Sequence, residues 1–425
     1  MDEALAQHVL AHAPCYVYDR AAIVAQCRAL RAALPGAELL YSVKANPFPP
    51  VLALVAAEGL GVDAASAAEV LLARRAGVPP DRILYSAPGK TAADIDAAWG
   101  HCVLVADSAA ELVRIDARAA AAGTVCHVGL RINPAFGIGT DAGSDVNAVP
   151  RVQPSKFGVD EDALDTLPRG LAHVVVVGLH VHVRSQVLDA RALARYHAHC
   201  LALAQRVAAR PGVQLRFVDL GSGAGVAYDR AQQRPLDLAA LAGAFEEIAE
   251  RNRRTLRATL FVETGRFVTC AAGTFYTPVV DRKTSGGRTF LVVESGLAGF
   301  LRPAVAALLP RVAADPHGPK QGHEPLYTCA HACTLSLVRR NRGSTDKSEE
   351  EEEEEETVDV VGSLCTALDV VQEGARLPRA EVGDVVAVSN AGAYGYTLSP
   401  LGFSSHKAPA QFLWPCGDGE GDGDA

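Results

Sequence analysis

One apolar run ends in Tyr41-Ser-Val-Lys44-Ala-Asn46, which sets a primary amine at its tip. An amine so placed can form a Schiff base with a carbonyl compound. Other β-branched or apolar runs end in Asp63-Ala-Ala-Ser66, in Arg131-Ile-Asn133 and in His180-Val-His182-Val-Arg184-Ser185-Gln186. Two more end in Asp219-Leu-Gly221-Ser222-Gly223 and Glu263-Thr-Gly265-Arg266. A lysine, a planar imidazole, a glycine-rich turn and a glutamate–arginine pair are what an aromatic, phosphorylated cofactor bound as a Schiff base requires. Singly, each has a plainer reading: a strand-end lysine as a surface charge, His180 or His182 as a core histidine, Gly221-Ser-Gly223 as a tight strand-to-helix turn. Their agreement in position is what points to one site.

That agreement needs a scaffold that brings strand ends together. From about residue 39 the chain repeats a short apolar run, a turn and an Ala/Leu-rich helical pattern. The spacing predicts strands at Leu39–Ala45, Gly61–Ser66, Arg82–Ala87, Cys102–Ser108, Val125–Asn133, Val174–Val183, Arg216–Gly221 and Thr259–Phe267. Helical patterns such as Asp189–Arg210 and Asp237–Arg254 fill the seven intervals. Eight alternating units predict an α/β fold, a (β/α)8 TIM-like barrel over 21–267, whose chemistry belongs at the C-terminal strand ends.

After residue 268 the rhythm becomes strand-like without regular helices, at Thr274–Asp281, Thr289–Glu294, Leu335–Arg339, Thr357–Val361 and Asp384–Val388. A second, β-rich domain is expected over 1–20 plus 268–414, joined by the strand Cys15–Tyr18. Within it, 343–356 reads as a disordered acidic insertion, and 415–425 as a disordered tail.

Net charge is −9, yet eight of the 49 acidic residues form the single run Glu349–Glu356, and the remainder nearly balance the 40 lysines and arginines. Nothing in that balance advertises nucleic acid or an anionic membrane as a partner. No stretch of about 18 apolar residues occurs, and the N-terminus begins Met1-Asp-Glu3 without a basic start, so a cytoplasmic protein is expected. The ten cysteines are scattered, which suits a reducing compartment. Cys329-Ala-His-Ala-Cys333 is too short a cluster to close a four-ligand site, and no metal is expected.

Eight segments carry a family resemblance: YSVKAN at 41–46, RINP at 131–134, SKFGV at 155–159, HVRSQ at 182–186, DLGSGAG at 219–225, ETGR at 263–266, GSLCTALD at 362–369 and AGAYGYTLSP at 391–400. In this order they resemble the barrel-type (fold type III) pyridoxal-phosphate decarboxylases, the group of diaminopimelate, ornithine and arginine decarboxylases. The resemblance implies an alanine-racemase-like barrel with a β-domain, pyridoxal 5'-phosphate as cofactor, and a homodimer with shared active sites. It implies that Lys44 carries the cofactor, that His182 stacks on its ring and that Glu263 keeps the ring nitrogen protonated. Ser185, Gly221, Ser222, Gly223, Gly265, Arg266 and Tyr394 would hold the phosphate, while Asp63 and Arg131 would order the surroundings. Cys365 matches the cysteine that a partner subunit contributes to protonate the carbanion, and Asp369 a residue near the substrate's distal group.

The departures bear on the substrate. Arg184 stands where the pattern has glycine, Ser222 replaces another glycine, and Thr264 a proline. The segment Glu294-Ser-Gly-Leu-Ala-Gly-Phe-Leu-Arg302-Pro303 resembles the diaminopimelate decarboxylase stretch whose Arg-Pro binds a distal carboxylate. Thr366, however, follows Cys365 where that enzyme has a glutamate for the distal ammonium. The expected substrate is therefore a small amino acid bearing a second carboxylate or an acidic conjugate, with Arg302, Thr366, Asp369 and Arg184 lining its site, as in siderophore or antibiotic biosynthesis. The alternatives are a diaminopimelate decarboxylase, an amino-acid racemase and a non-catalytic regulator. Glu263 counts against a racemase, which places an arginine at the ring nitrogen, and retention of Lys44, Glu263, Arg266 and Cys365 counts against a regulator.

Overall fold

In a computed structural model of the chain, which describes residues 1–138, 155–168, 170–305, 333–340 and 354–416, eight parallel strands close on themselves. They are β2 (Ala37–Ser42), β3 (Gly61–Ala64), β4 (Ile83–Tyr85), β5 (Val103–Ala106), β6 (Cys126–Asn133), β8 (Val174–His180), β9 (Phe217–Asp219) and β10 (Thr259–Thr264). Closure is made by Thr264 opposite Tyr41 and Glu263 opposite Leu40, so the last strand ends level with the first. The barrel interior is filled by Leu40, Leu84, Val105, Val177, Phe217 and Phe261. A Cβ on Gly178 would overlap the Phe217 ring and one on Gly129 would touch it, so these two glycines make room for the aromatic filling.

Serine and acidic caps start the helices at the strand exits. In two loops the same Ser-Ala-Ala-Glu pattern recurs: Ser66 accepts from the Glu69 N–H at the start of α4 (Ala67–Arg75), and Ser108 from the Glu111 N–H at the start of α6 (Ala109–Ala121). Glu69 in turn accepts from the Ala65 N–H, and Glu111 from the Asp107 N–H. These reciprocal pairs satisfy helix-start amides and fix the residues just beyond β3 and β5.

Among the described residues six of the seven intervals hold α-helices. The interval between β6 and β8 differs: its described residues form the two-residue strand β7 (Val159–Asp160) beside β6 and a 3-10 turn at Glu161–Thr166. Gly158, with φ +73°, lies against the Ile132–Asn133 backbone and turns the chain there, which no helix could do. The helix that completes the outer ring precedes the first barrel strand, as α2 (Arg20–Ala33) lies beside α3 (Pro49–Ala57) and α8 (Leu238–Arg254).

The β-domain is a sheet of β1 (Cys15–Asp19), β11 (Gly273–Ser285), β12 (Arg288–Val293), β13 (Leu335–Val338), β14 (Glu355–Gly362), β15 (Val370–Pro378), β16 (Val385–Val388) and β17 (Ala410–Trp414). The N-terminal strand joins it between β11 and β17. The acidic run requires a correction at its end. Glu355 and Glu356 open β14 opposite Pro378 and Leu377, and their carboxylates pair with Arg376 at 3.1 Å and Arg282 at 2.6 Å. Two arginines thus recruit the last charges of a run that otherwise repels itself; its residues up to 353, like Cys329 and His331 and the tail from 417, lie outside the described residues.

Removing Asp346–Glu356 should therefore lower the Tm. It takes out two strand residues and the bidentate partner of Arg282, an ion pair worth on the order of 1 kcal/mol by itself. Thermal denaturation beside a deletion of 346–353 separates the charge run from the sheet, and only the longer deletion should be destabilising.

Candidate active site

Lys44 sits in the 3-10 turn Val43–Ala45 immediately after β2. The approach is tight, for a Cβ on Gly265 would come within 2.8 Å of the Ala45 Cβ. Its Nζ lies 3.1 Å from Asp63 Oδ2 at the end of β3, and the Ser86 hydroxyl donates to the other Asp63 oxygen at 2.6 Å. Burial opposes the ammonium charge, but Asp63, Glu263 and Tyr394 outweigh it and hold the Lys44 pKa above its ordinary value.

Across the mouth, Glu263 ends β10 as a buried carboxylate between two imidazoles. His180 Nε2 is 3.0 Å from its Oε1, and His182 Nδ1 is 3.3 Å from its Oε2. Burial alone would raise the Glu263 pKa, yet these histidines hold it well below the usual carboxylate range. The neighbouring Asp219 is driven the other way, its pKa raised by burial and by the charge on Glu263. Burial also lowers the His180 pKa despite Glu263.

Beside it the chain turns tightly at Gly221. Gly221 has φ +71°, and a Cβ there would collide with the Val181 carbonyl and crowd His182. The Ser222 N–H donates to His182 Nδ1 at 3.1 Å, and Ser185 Oγ is 3.5 Å from His182 Nε2. The side-chain amide of Gln186 donates to the Val226 carbonyl at 2.6 Å and accepts its N–H at 3.0 Å, which clamps the loop after β8 to the loop after β9. On the far side Arg266 donates to the Tyr228 hydroxyl at 2.5 Å and lies over the Tyr394 ring at 4.8 Å.

Tyr394 arrives from the β-domain. Its N–H donates to the Ala45 carbonyl at 2.8 Å, and Asn46 donates to the Gly392 carbonyl at 3.0 Å, so the turn is bolted onto the lysine segment. Arg302, only 2% exposed, reaches the same turn: its Nη1 donates to the Asn390 and Ala393 carbonyls, each at 3.1 Å, and its guanidinium stacks 4.6 Å from the Tyr228 ring centre.

Lys44, Asp63, His182, Ser185, Gly221, Ser222, Gly223, Glu263, Gly265, Arg266 and Tyr394 are thus gathered at one barrel mouth. Arg131 stands behind them, 3.5 Å from the Ser86 carbonyl, 3.9 Å from Asp107 and over the Phe157 ring. Arg184 is half-buried next to His182. Cys365 and Thr366 lie apart, on the loop between β14 and β15, where Cys365 is exposed. Asp369 needs correcting as a substrate ligand: it is buried, and its oxygens accept the Leu297 and Leu364 N–H groups at 2.5 and 2.9 Å. It orders the loop that presents Cys365. Asp219 and Gln186 stand in the quoted motifs without a role, and Ser86 and Tyr228 lie outside them. Tyr228 could have been suspected from its place just after the Gly221–Gly225 run, whereas Ser86 left no signal.

Two features suit a flat phosphorylated cofactor with a basic ring nitrogen. Among the described residues Glu263 Oε1 has no well-aligned donor and Arg266 Nε has no acceptor. Residues 20–270 match the family model for the pyridoxal-binding domain of pyridoxal-dependent decarboxylases. The chain belongs to this family.

Its relatives are spread over nearly the whole length. The L-glutamyl-[BtrI acyl-carrier protein] decarboxylase of Niallia circulans is 29% identical over 94% of this chain and 88% of its own. The diaminopimelate decarboxylase of Pseudomonas aeruginosa is 31% identical over 91% of this chain and 84% of its own. The crystal structure of Helicobacter pylori diaminopimelate decarboxylase complexed with L-lysine superposes with a TM-score of 0.74 at 28% identity, covering 94% of this chain and 91% of that one. The protein is a pyridoxal-phosphate-dependent amino-acid decarboxylase of the diaminopimelate and ornithine decarboxylase group, with a fold-type III barrel and a β-domain. Among the described residues no helix is long and apolar enough to cross a membrane.

Borohydride reduction of the pyridoxal-phosphate-loaded protein should fix the cofactor to Lys44, and Lys44→Ala should abolish the adduct in a peptide mass map. Tyr228→Phe, which strips Arg266 of its hydroxyl acceptor, should weaken cofactor affinity by about tenfold, the worth of one charge-assisted hydrogen bond. A fluorescence titration of the apoprotein measures it.

Proposed function

We propose that this decarboxylase acts on an amino acid whose far end carries a second carboxylate or an acidic conjugate. The observation that carries the reading is Arg302. Its Nε and Nη2 are buried and, among the described residues, find no acceptor, while its other nitrogen is spent on the β-domain turn. A buried guanidinium with open N–H groups favours an anion and repels a distal ammonium, an effect on the order of 1–3 kcal/mol per charge-assisted contact. Arg184, half-buried with an Nε that lacks an acceptor among the described residues, adds positive charge on the other side of His182. The similarity to a decarboxylase of a glutamyl group on a carrier protein supports a conjugate. Thr366, at the position after Cys365, offers no charge to a distal ammonium. Diaminopimelate is the second reading, supported by the Pseudomonas aeruginosa relative.

In this scheme pyridoxal phosphate, when bound, supplies the ring that accepts the electron pair left by departing carbon dioxide. Lys44 would hold it covalently, Glu263 would keep a proton at its ring nitrogen, and His182 would pack against its ring. Ser185, the Gly221–Gly223 turn, Arg266 and Tyr394 would bind its phosphate. Asp63 steadies the charge on the Lys44 nitrogen. Cys365, exposed on its ordered loop, serves the site of a second copy in a homodimer, where it delivers a proton to the carbon that lost carbon dioxide.

Arg302→Lys and Arg302→Ala should raise KM for the true substrate by about tenfold or more, measured with pyridoxal phosphate at saturation because Arg302 also anchors the turn that carries Tyr394. Carbon dioxide release across dicarboxylic, diamino and conjugated amino acids identifies that substrate. Efficient turnover of ornithine or lysine, indifferent to Arg302, would overturn the reading. Mixing inactive Lys44→Ala and Cys365→Ala proteins should restore partial activity through hybrid dimers, and no rescue after demonstrated subunit exchange would remove Cys365 from a shared site.

A further inference from the structure

Lys90 and Glu111 form an ion pair that plays no part in the chemistry above, and they are 1% and 0% exposed. The Lys90 ammonium donates to Glu111 Oε1 at 2.6 Å, to the Ala87 carbonyl at 2.6 Å and to the Val105 carbonyl at 2.7 Å. A buried ion pair is weak evidence for stability in itself, because desolvation consumes most of the attraction. Its placement suggests another reason. Pairing between β4 and β5 stops at Tyr85 opposite Leu104, and the ammonium spans the carbonyls of Ala87 and Val105 where the strands part.

The residues so fixed lead to the lysine. Ser86, beside Ala87, donates to Asp63, and Asp63 contacts Lys44. Asp107 stands two residues beyond Val105, gives its N–H to the same Glu111 oxygen at 3.4 Å, and faces Arg131, which reaches back to the Ser86 carbonyl. We propose that Lys90, together with Glu111, is a positioning residue: it replaces the missing rung between β4 and β5 and so holds Ser86 and Asp63 in register with Lys44.

Lys90→Met alone would bury Glu111 without its ammonium, so the main variant is Lys90→Met/Glu111→Leu, an apolar exchange of the kind buried ion pairs often tolerate. Glu111→Gln, which keeps an acceptor for Lys90, is the second. Each is compared with wild type for Tm, for the rate at which added pyridoxal phosphate becomes attached to Lys44, and for the pH midpoint of the visible absorbance of the loaded protein. The groups facing Lys44 are Asp63, Glu263 and Tyr394, and of these Asp63 is the one tied to Ser86. Loosening its carboxylate should lower the midpoint by about one pH unit in the double variant, while Tm stays near wild type, and attachment at neutral pH should quicken as more of the Lys44 amine becomes neutral. Glu111→Gln should move both in the same direction by less. Wild-type attachment rate and midpoint in either folded variant, whatever its Tm, would overturn the proposal. Should the double variant not fold, Glu111→Gln decides alone.

Discussion

The site is organised around a buried carboxylate, Glu263. It stands near the end of its strand, where neighbouring histidines hold its pKa down while burial raises that of Asp219 and lowers that of His180. Three adjacent strand ends must meet at bonding distance for this, and the parallel register of β8, β9 and β10 supplies the alignment, with His180 opposite Asp219 and Phe261 opposite Asp219. A buried carboxylate that cannot be neutralised from within demands a cation from outside. Within the chain the ammonium of Lys44 responds to it, and a protonated aromatic nitrogen would answer it directly.

A second constraint is that the barrel does not complete its own site. The turn 390–394 of the β-domain supplies Tyr394, and contacts that fix it include Asn46 and Ala45 from the lysine segment, Arg302 by two bonds, the Cys270 thiol on Asn390, and the Ala391 and Gly392 N–H groups on the Gly273 and Cys270 carbonyls. Asn390 and Tyr394 both have positive φ, a cost of about 1–3 kcal/mol each that these contacts must offset. Gly392 admits no side chain, since a Cβ would overlap the Thr269 carbonyl. The two parts of the molecule are therefore joined at the reactive lysine, and a shift between them would be felt there first.

Arg302 illustrates how one residue can serve both requirements. One nitrogen secures the turn and its face lies on Tyr228, whose hydroxyl takes a bond from Arg266. The Tyr228 ring thus stands between two buried cations that would otherwise repel, and the planar guanidinium of Arg302 can stack there while leaving N–H groups open. A lysine could not.

Local features of the sequence determined the scaffold. Apolar runs of strand length, Ser-Ala-Ala-Glu starts and glycine turns act over a few residues, so the eight strands, the polar residues at their ends and the change of rhythm after residue 268 were all legible. Lys44, Glu263, Arg266 and the Gly221–Gly223 turn could be named because each stands at a strand exit within a segment that resembles the family. Contacts between segments far apart in the chain were not legible. Ser86 beside Asp63, Tyr228 between two arginines, Asp369 turned inward onto Leu297, and Glu356 captured by Arg282 depend on which elements become neighbours. That is decided by barrel closure and by the seating of the β-domain, because a hydrogen bond or a shared proton is set by distances of a few ångströms that no local pattern encodes.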